Sequence, residues 1–431
     1  MRRSLPRLNI SALAGRSSVA SAVAAIVGSL PGFTLPFAAA LVLPAGQSDL
    51  LLLALSVGIT PSIVVSSAVE LTTVAEFGRL LGQGLGPTNA ALRSFQMRVL
   101  RFAATLTVLV VPVLVVAYSS RSPDRSTFIL LACAVAVTPV VAAFASTLSG
   151  ECVARGAPVV PIAVQAMRSF VPAVCLLLWP SAALVVFAVM LPVGEAVRAV
   201  VLAVACRRLR LRHAAEERGE LAPYGLVAQS LASGVTQLGP AVDRVFLSSA
   251  TEGDISSYEM SDRLMYAASQ FFTMTFIFRR VAVWAQLPAM GVERARLLLR
   301  GDARTLGGLV VALTIGSVVV CLAALASGLL PSDWRTGFLW GSLVMLSLPA
   351  HLFNVVGTRM LVIGRKQNMM LWIAGATAIL NAILDGLFFF FLGSIGIIVS
   401  TVVLRWTMAG VYLYLLRSVI PATIGRDVVQ D

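Results

Sequence analysis

Apolar residues fill this chain in blocks of about 20, separated by short polar stretches. At ~1.5 Å per residue, a helix of that length crosses the ~30 Å hydrocarbon core of a bilayer. The blocks predict about twelve spans, near residues 18–43, 49–72, 99–119, 127–148, 157–178, 181–205, 224–250, 257–288, 305–330, 337–362, 369–391 and 395–416. The largest polar stretch between them runs only from Arg207 to Pro223. Lipid offers no partner to a backbone N–H or C=O, so the expected fold is an all-α integral membrane protein.

Composition agrees: 58% of residues are apolar and 12% charged, with a mean hydropathy of +0.90, far from the soluble average. The net charge of +13 follows loop parity. Arg2, Arg3, Arg7, Arg79, Arg93, Arg98, Arg101, Arg155, the Arg207–Arg218 cluster, Arg294–Arg304, Arg365, Lys366 and Arg426 fall on one face. The other face holds little beyond Arg121, Arg125 and Arg335, largely offset by Asp124 and Asp333. The positive-inside rule then puts the basic face and both termini in the cytoplasm, in a multi-pass bacterial inner-membrane protein. Such loops lie on anionic headgroups, so nucleic acid is not expected as a partner and membrane lipids are. The opening MRRSLPRLNI lacks a small-residue cleavage site and is expected to be retained.

The five cysteines, Cys133, Cys152, Cys175, Cys206 and Cys321, form no CxxC pair, and the two histidines are His213 and His351. Nothing here has the ligand spacing of a zinc site. The loops are too short for a nucleotide-sugar site and carry no paired carboxylates, so no enzymatic activity is expected.

The basic segment CRRLRLRHAAEERGE divides the spans six and six, giving expected lobes at 1–212 and 213–431. Shifted by about 207 residues, SSVASAVAAIVGSLPGF lies over QSLASGVTQLGPAVDRVF, and both lead through a Gly-containing turn into a helix that begins polar. Parallel repeats of this kind place a transported substrate between the lobes. Pro31, Pro36, Gly58, Pro61, Gly239 and Pro240 fall inside spans, where they bend helices and free backbone groups.

Ionisable residues in lipid are costly and face a bundle interior or a wet cavity. Spans seven and eight hold Asp243, Arg244, Glu259, Asp262 and Arg263, and Asp243 and Arg263 are positioned to meet across that hairpin. Glu70, Arg168, Glu195 and Arg198 add charge in the first half, the last two spaced for an ion pair. Arg359 and Arg405 read as span-end residues within snorkelling reach. In span eleven, Asn381 and Asp385 share a helical face, and Thr401 lies about one turn into span twelve after the Gly393–Gly396 turn. With Asp243 these oxygens suit an alkali cation. A proton shared by the aspartates, or a hydrogen-bond cluster that only joins helices, fits the same spacing.

The segment TQLGPAVDRVFLSSATEGDISSYEMSDRLMYAASQFF resembles the seventh and eighth helices of the MviN/MurJ-like flippases, a branch of the multidrug/oligosaccharidyl-lipid/polysaccharide (MOP) superfamily. Asp243, Gly253, Tyr258 and Asp262-Arg263-Leu264 stand at the features of that hairpin. AGQSDLLLLALSVGITPSIV, ECVARGAPVVPIAVQAM and LFNVVGTRMLVIGRKQN resemble other parts of the family more loosely. The resemblance implies two six-helix lobes, alternating access and a lipid-linked saccharide as cargo. It also implies a sodium site in the carboxyl lobe at Asp243, Asn381, Asp385 and Thr401, with the Ile397 carbonyl. Asp49 matches the family's acidic position in the turn into helix two, and Arg263 its helix-eight arginine. The chain departs from the lipid II flippases in having no Arg or Lys between Arg16 and Arg79, and it is expected to lack their helices thirteen and fourteen. Both departures favour a general polysaccharide-type cargo over lipid II.

The leading expectation is therefore a flippase for a diphosphate-linked lipid saccharide, with Arg263, Arg168, Asp49 and Glu70 as substrate-binding residues. Na⁺, a proton or the membrane potential would drive it. A cation-coupled multidrug exporter of the same superfamily, and a non-transporting scaffold that recruits polymer-synthesis enzymes, are the alternatives.

Overall fold

Long helices carry most of the residues that the computed structural model describes, namely 23–24, 42–43, 45–119, 124–212, 216–223, 225–236, 239–247, 254–330 and 332–424. The expected first span, with Pro31 and Pro36, lies almost wholly outside the described residues, as do Arg16, His213 and Gly253. The side chains of Asp49, Arg244 and Glu259 also lie outside them.

The first half contains α1 (Ala45–Gly82), β1 (Leu85–Pro87), α2 (Asn89–Ser119), α3 (Arg125–Val135), α4 (Thr138–Ala154), α5 (Val159–Val164), α6 (Met167–Leu178) and α7 (Leu184–Arg212). After β2 (Glu216–Gly219) come α8 (Leu226–Thr236), α9 (Gly239–Leu247), α10 (Asp254–Phe272), a π turn (Thr273–Ile277) and α11 (Phe278–Trp284). The chain then forms a 3₁₀ turn (Leu287–Ala289), α12 (Val292–Ala326), α13 (Ser332–Met345), α14 (Leu348–Ile363), α15 (Gln367–Leu392) and α16 (Ser394–Thr423). Among the described residues, eight helices are long and apolar enough to cross a bilayer, and α13 with α14 forms a further span bent by 55°. The protein is an all-α membrane protein whose architecture fits about twelve spans.

Several helices outrun their expected spans. α1 continues past residue 72 to Gly82, α2 starts at Asn89 instead of 99, and α12 starts at Val292 instead of 305. Hydropathy marks where lipid ends, but the arginines beyond that edge are good helix formers, so the helices continue into the polar layer. The stretch Arg207–Pro223 is likewise shorter as a loop than its polarity implied. α7 runs to Arg212, and β2 pairs in parallel with β1, Leu85 opposite Glu216.

The two halves repeat one pattern of packing. α1 packs on α4, α4 on α7 and α6 on α7; in the second half α10 packs on α13, α14 on α16 and α15 on α16. A helix break at a proline repeats as well. α3 gives way to α4 just before Pro139, and α13 to α14 just before Pro349. A proline in a helix lacks the N–H for the preceding turn and its ring crowds the carbonyl four residues back, which fixes a break at each place.

The halves meet near the basic ends of their helices. Arg365 donates to both Glu76 carboxylate oxygens at 2.9 Å, and the Thr72 hydroxyl donates to the Gln229 side-chain oxygen at 3.1 Å. An apolar core joins Val74, Val153 and Ile162 of the first half to Trp284, Leu287 and Leu348 of the second. A separate core within the first half holds Leu51, Leu55, Phe128, Leu131 and Leu191. Side chains such as Trp372 and Phe390, 80% and 82% exposed, are the lipid-facing surface expected of spans.

Candidate functional site

α9, α10, α15 and α16 bring a set of polar side chains together inside the second half. Asp243, Tyr258, Asn381, Asp385 and Ser400 are all buried. The Asn381 amide nitrogen donates to Asp243 at 2.8 Å and to Asp385 at 2.7 Å. The Tyr258 hydroxyl donates to the other Asp243 oxygen, and the Ser400 hydroxyl to the other Asp385 oxygen. Helix geometry explains the convergence: residues four apart share a face, so α15 presents Asn381 and Asp385 together. Gly393 lets α16 turn back at once, because its φ of +64° lies in the left-handed region. A Cβ at Gly396 would collide with the Phe388 carbonyl group, so only glycine allows α16 to close on α15 here.

Of the residues expected to form a cation site, Asp243, Asn381 and Asp385 lie together. Thr401 donates to the Ile397 carbonyl at 2.9 Å, while the hydroxyl that reaches Asp385 belongs to Ser400. Ser400 escaped the sequence reading because two adjacent hydroxyls in an apolar run differ only in helical phase. No cluster of three His, Cys, Asp or Glu side chains suited to a metal occurs among the described residues. The donor set is one of carboxylate, amide, hydroxyl and carbonyl oxygens, which fits a hard cation.

The hairpin pairing of Asp243 with Arg263 does not occur. Asp243 is taken by Asn381 and Tyr258, and Arg263 is exposed and makes no hydrogen bond or ion pair among the described residues. Asp262 instead approaches Arg405, at 3.8 Å. Arg405 is also not the snorkelling residue its place in the sequence implied. It donates to the Ser347 hydroxyl at 3.0 Å, in the break that Pro349 makes between α13 and α14. Its position one turn beyond Thr401 on α16 aims it inward, below the carboxylate cluster.

A second polar group spans the interior of the first half. Glu195 on α7 pairs with Arg168 of α6 and with Arg198 one turn on, each at 3.1 Å. Glu70 on α1 accepts from the Ser149 hydroxyl of α4. Two close helix approaches make these contacts. A Cβ at Gly194 would lie 2.7 Å from the Met167 carbonyl oxygen, and one at Gly150 would lie 2.6 Å from the Thr73 Cβ. Arg359 on α14, the other residue expected to snorkel, keeps its Nε buried and lies within electrostatic reach of Glu70 across the halves. Arg168 and Glu70 thus lie in one network; the structure gives Arg263 no part in it.

No family model and no curated protein matches the chain. Solved structures do. A multidrug resistance MATE family transporter of the MOP superfamily, in an outward-facing conformation, aligns with a TM-score of 0.72 at 14% identity, covering 96% of this chain and 98% of that one. The MATE transporter ClbM in complex with Rb⁺ aligns at 0.69 with 13% identity, over 96% and 97% of the two chains. A point mutant of the Vibrio cholerae MATE transporter VcmN aligns at 0.66 with 12% identity, over 93% and 99%. The chain therefore has the fold of the MOP-superfamily membrane transporters. At these identities the likeness is one of fold; it does not reach the MviN/MurJ-like branch.

Proposed function

We propose that this protein is an alternating-access transporter that moves a lipid-linked, diphosphate-bearing saccharide across the bacterial cytoplasmic membrane. Its lobes are 1–212 and 213–431, and its basic face and both termini are cytoplasmic. The observation that carries the reading is the inward placement of Arg168, Arg198, Arg359 and Arg405, drawn from both halves. A guanidinium in lipid is costly unless it serves a polar interior, and its planar fork matches phosphate oxygens. Asp243, Asn381, Asp385 and Ser400, with the Ile397 carbonyl and Thr401, would hold a coupling Na⁺, whose charge would offset the two carboxylates. A Rb⁺ complex of one MATE transporter with the same fold is consistent with such a site. Cation binding would favour the conformation in which these oxygens converge, and so bias the exchange between inward- and outward-facing states.

The second reading is a cation-coupled multidrug exporter, favoured by the MATE identity of the structural neighbours. Reconstitution decides between them. In proteoliposomes with an imposed Na⁺ gradient, the flippase reading expects transfer of a fluorescent polyprenyl-diphosphate sugar and no efflux of ethidium. Ethidium efflux without lipid transfer would establish the drug exporter. Neither activity, together with co-purification of a polymer-synthesis enzyme, would establish the scaffold.

A further inference from the structure

Two acid–arginine couples are stacked where the halves meet, and they differ in closure. Glu76 and Glu70 lie on α1; Arg365 lies two residues past the end of α14 and Arg359 in its last turn or so, with the same sequence separation. The couple nearer the basic face is closed, with Arg365 holding Glu76 through contacts of 2.9 Å. The couple one layer inward is apart. Glu70 is bonded by Ser149, and Arg359 donates only to the Val355 carbonyl of its own helix, at 3.3 Å. Glu70 and Arg359 form no ion pair with each other, and this unclosed couple is the apex of the polar layer between the halves.

The apex holds buried donors without acceptors. The Nε atoms of Arg359 and Arg198 are buried and have no hydrogen-bond partner, and Arg198 is only 6% exposed. Both arginines lie within electrostatic reach of Glu70. With Arg168, three guanidinium groups face two carboxylates, Glu70 and Glu195. A buried polar group left unpaired costs stability, and a guanidinium meets an oxyanion through several donors at once. We infer that Arg359 and Arg198 form a subsite for a phosphate-type oxyanion, one arginine from each half, with Glu70 as the built-in competitor for the same donors. This inference rests on the flippase reading and names the residues that would grip the anionic part of its cargo. A site shared by both halves also has a mechanical consequence, since its ligand is held by both only while the apex geometry persists.

The test is equilibrium binding to the full-length protein in nanodiscs, with farnesyl diphosphate and inorganic pyrophosphate as probes and farnesol as the neutral control. The wild type should bind farnesyl diphosphate and not farnesol. Arg359→Gln and Arg198→Gln should each weaken binding about tenfold or more, as expected for losing a charge-assisted contact. Glu70→Gln should tighten it, an outcome that misfolding cannot produce. Arg296→Gln, at an exposed position on α12, should leave it unchanged. Tighter binding of farnesyl diphosphate than of pyrophosphate marks a lipid headgroup; equal binding marks a free anion, and either supports the subsite. Wild-type affinity retained in both arginine variants would overturn the inference and leave the flippase reading intact. No anion binding by the wild type, alongside binding of ethidium, would overturn both.

Discussion

Asn381 stands between Asp243 and Asp385, its one amide nitrogen donating to both at 2.8 and 2.7 Å. The other hydrogen bonds to these carboxylates also come from neutral donors, Tyr258 on one aspartate and Ser400 on the other. Two buried carboxylates so close cannot both stay charged without a compensating ion or proton. The proposed coupling cation would supply that charge.

Na⁺ should therefore raise the thermal unfolding temperature of the purified protein where K⁺ does not. At a hundredfold excess over Kd the expected gain is about 2.7 kcal/mol. Asp385→Ala should abolish it. Ser400→Ala should weaken Na⁺ affinity about tenfold, the lower end of the range for groups that orient or support ligands. Thr401→Ala should do less, and a larger loss at Thr401 would reverse that assignment. Stabilisation by acid in place of Na⁺ would identify a shared proton.

Breaking the Glu76–Arg365 couple should shift the protein toward the state that opens on its basic face. Glu76 is buried while Arg365 is partly exposed, so the loss on Glu76→Gln should be about 1–3 kcal/mol, below that of a fully buried pair. Distances between spin labels on the ends of α1 and α14 read the shift directly. The exchange Glu76→Arg with Arg365→Glu should recover part of the original distribution. Unchanged distances in Glu76→Gln would show that the couple does not hold the closed end.

Two glycines of the same helix pair separate packing from helix propensity. Gly396→Ala places a methyl group against the Phe388 backbone and should destabilise by about 1–3 kcal/mol. Gly375→Ala on α15 meets nothing within 4 Å and should stabilise, by roughly 0.5–1 kcal/mol. Chemical denaturation in detergent measures both; equal effects would refute the close approach of α15 and α16.

Asp124 caps α3 on the face opposite the basic one. Hydrogen bonds from Thr127, and then from Ser126, lower its carboxyl from 3.8 to about 2. A depressed pKa contributes stability that is complete above the unfolded value and fades as pH falls through the folded one. The cap should thus be constant above pH 4 and be lost between about 4 and 2. Hydrogen exchange at the first amides of α3 should quicken in that window. Asp124→Ala should make it fast at every pH, and Asp124→Asn should keep most of the protection with no pH dependence.

The spans were legible because lipid imposes one rule on every residue of a crossing helix, and that rule acts locally. Asn381 and Asp385 were legible for the same reason, since a spacing of four fixes their shared face. The hydroxyl that reaches Asp385, Ser400 and not Thr401, shows the limit: helix phase against a neighbour is set by packing, here by the turn at Gly393 and the close fit at Gly396. Arg359 and Arg405 show it more strongly. From the sequence both sit within snorkelling reach of an interface, and only the break at Pro349 and the meeting of α1 with α14 turn them inward.

The chain's own order of residues thus fixed the membrane environment, the helical class, the basic face and the type of oxygen chemistry in the second half, because each depends on composition or on spacing within one helix. Tertiary structure decided which acid meets which arginine, which hydroxyl reaches Asp385, and where the halves touch. Those pairings join residues far apart in the chain. They depend on how bent helices lean on one another, a geometry that no single segment encodes.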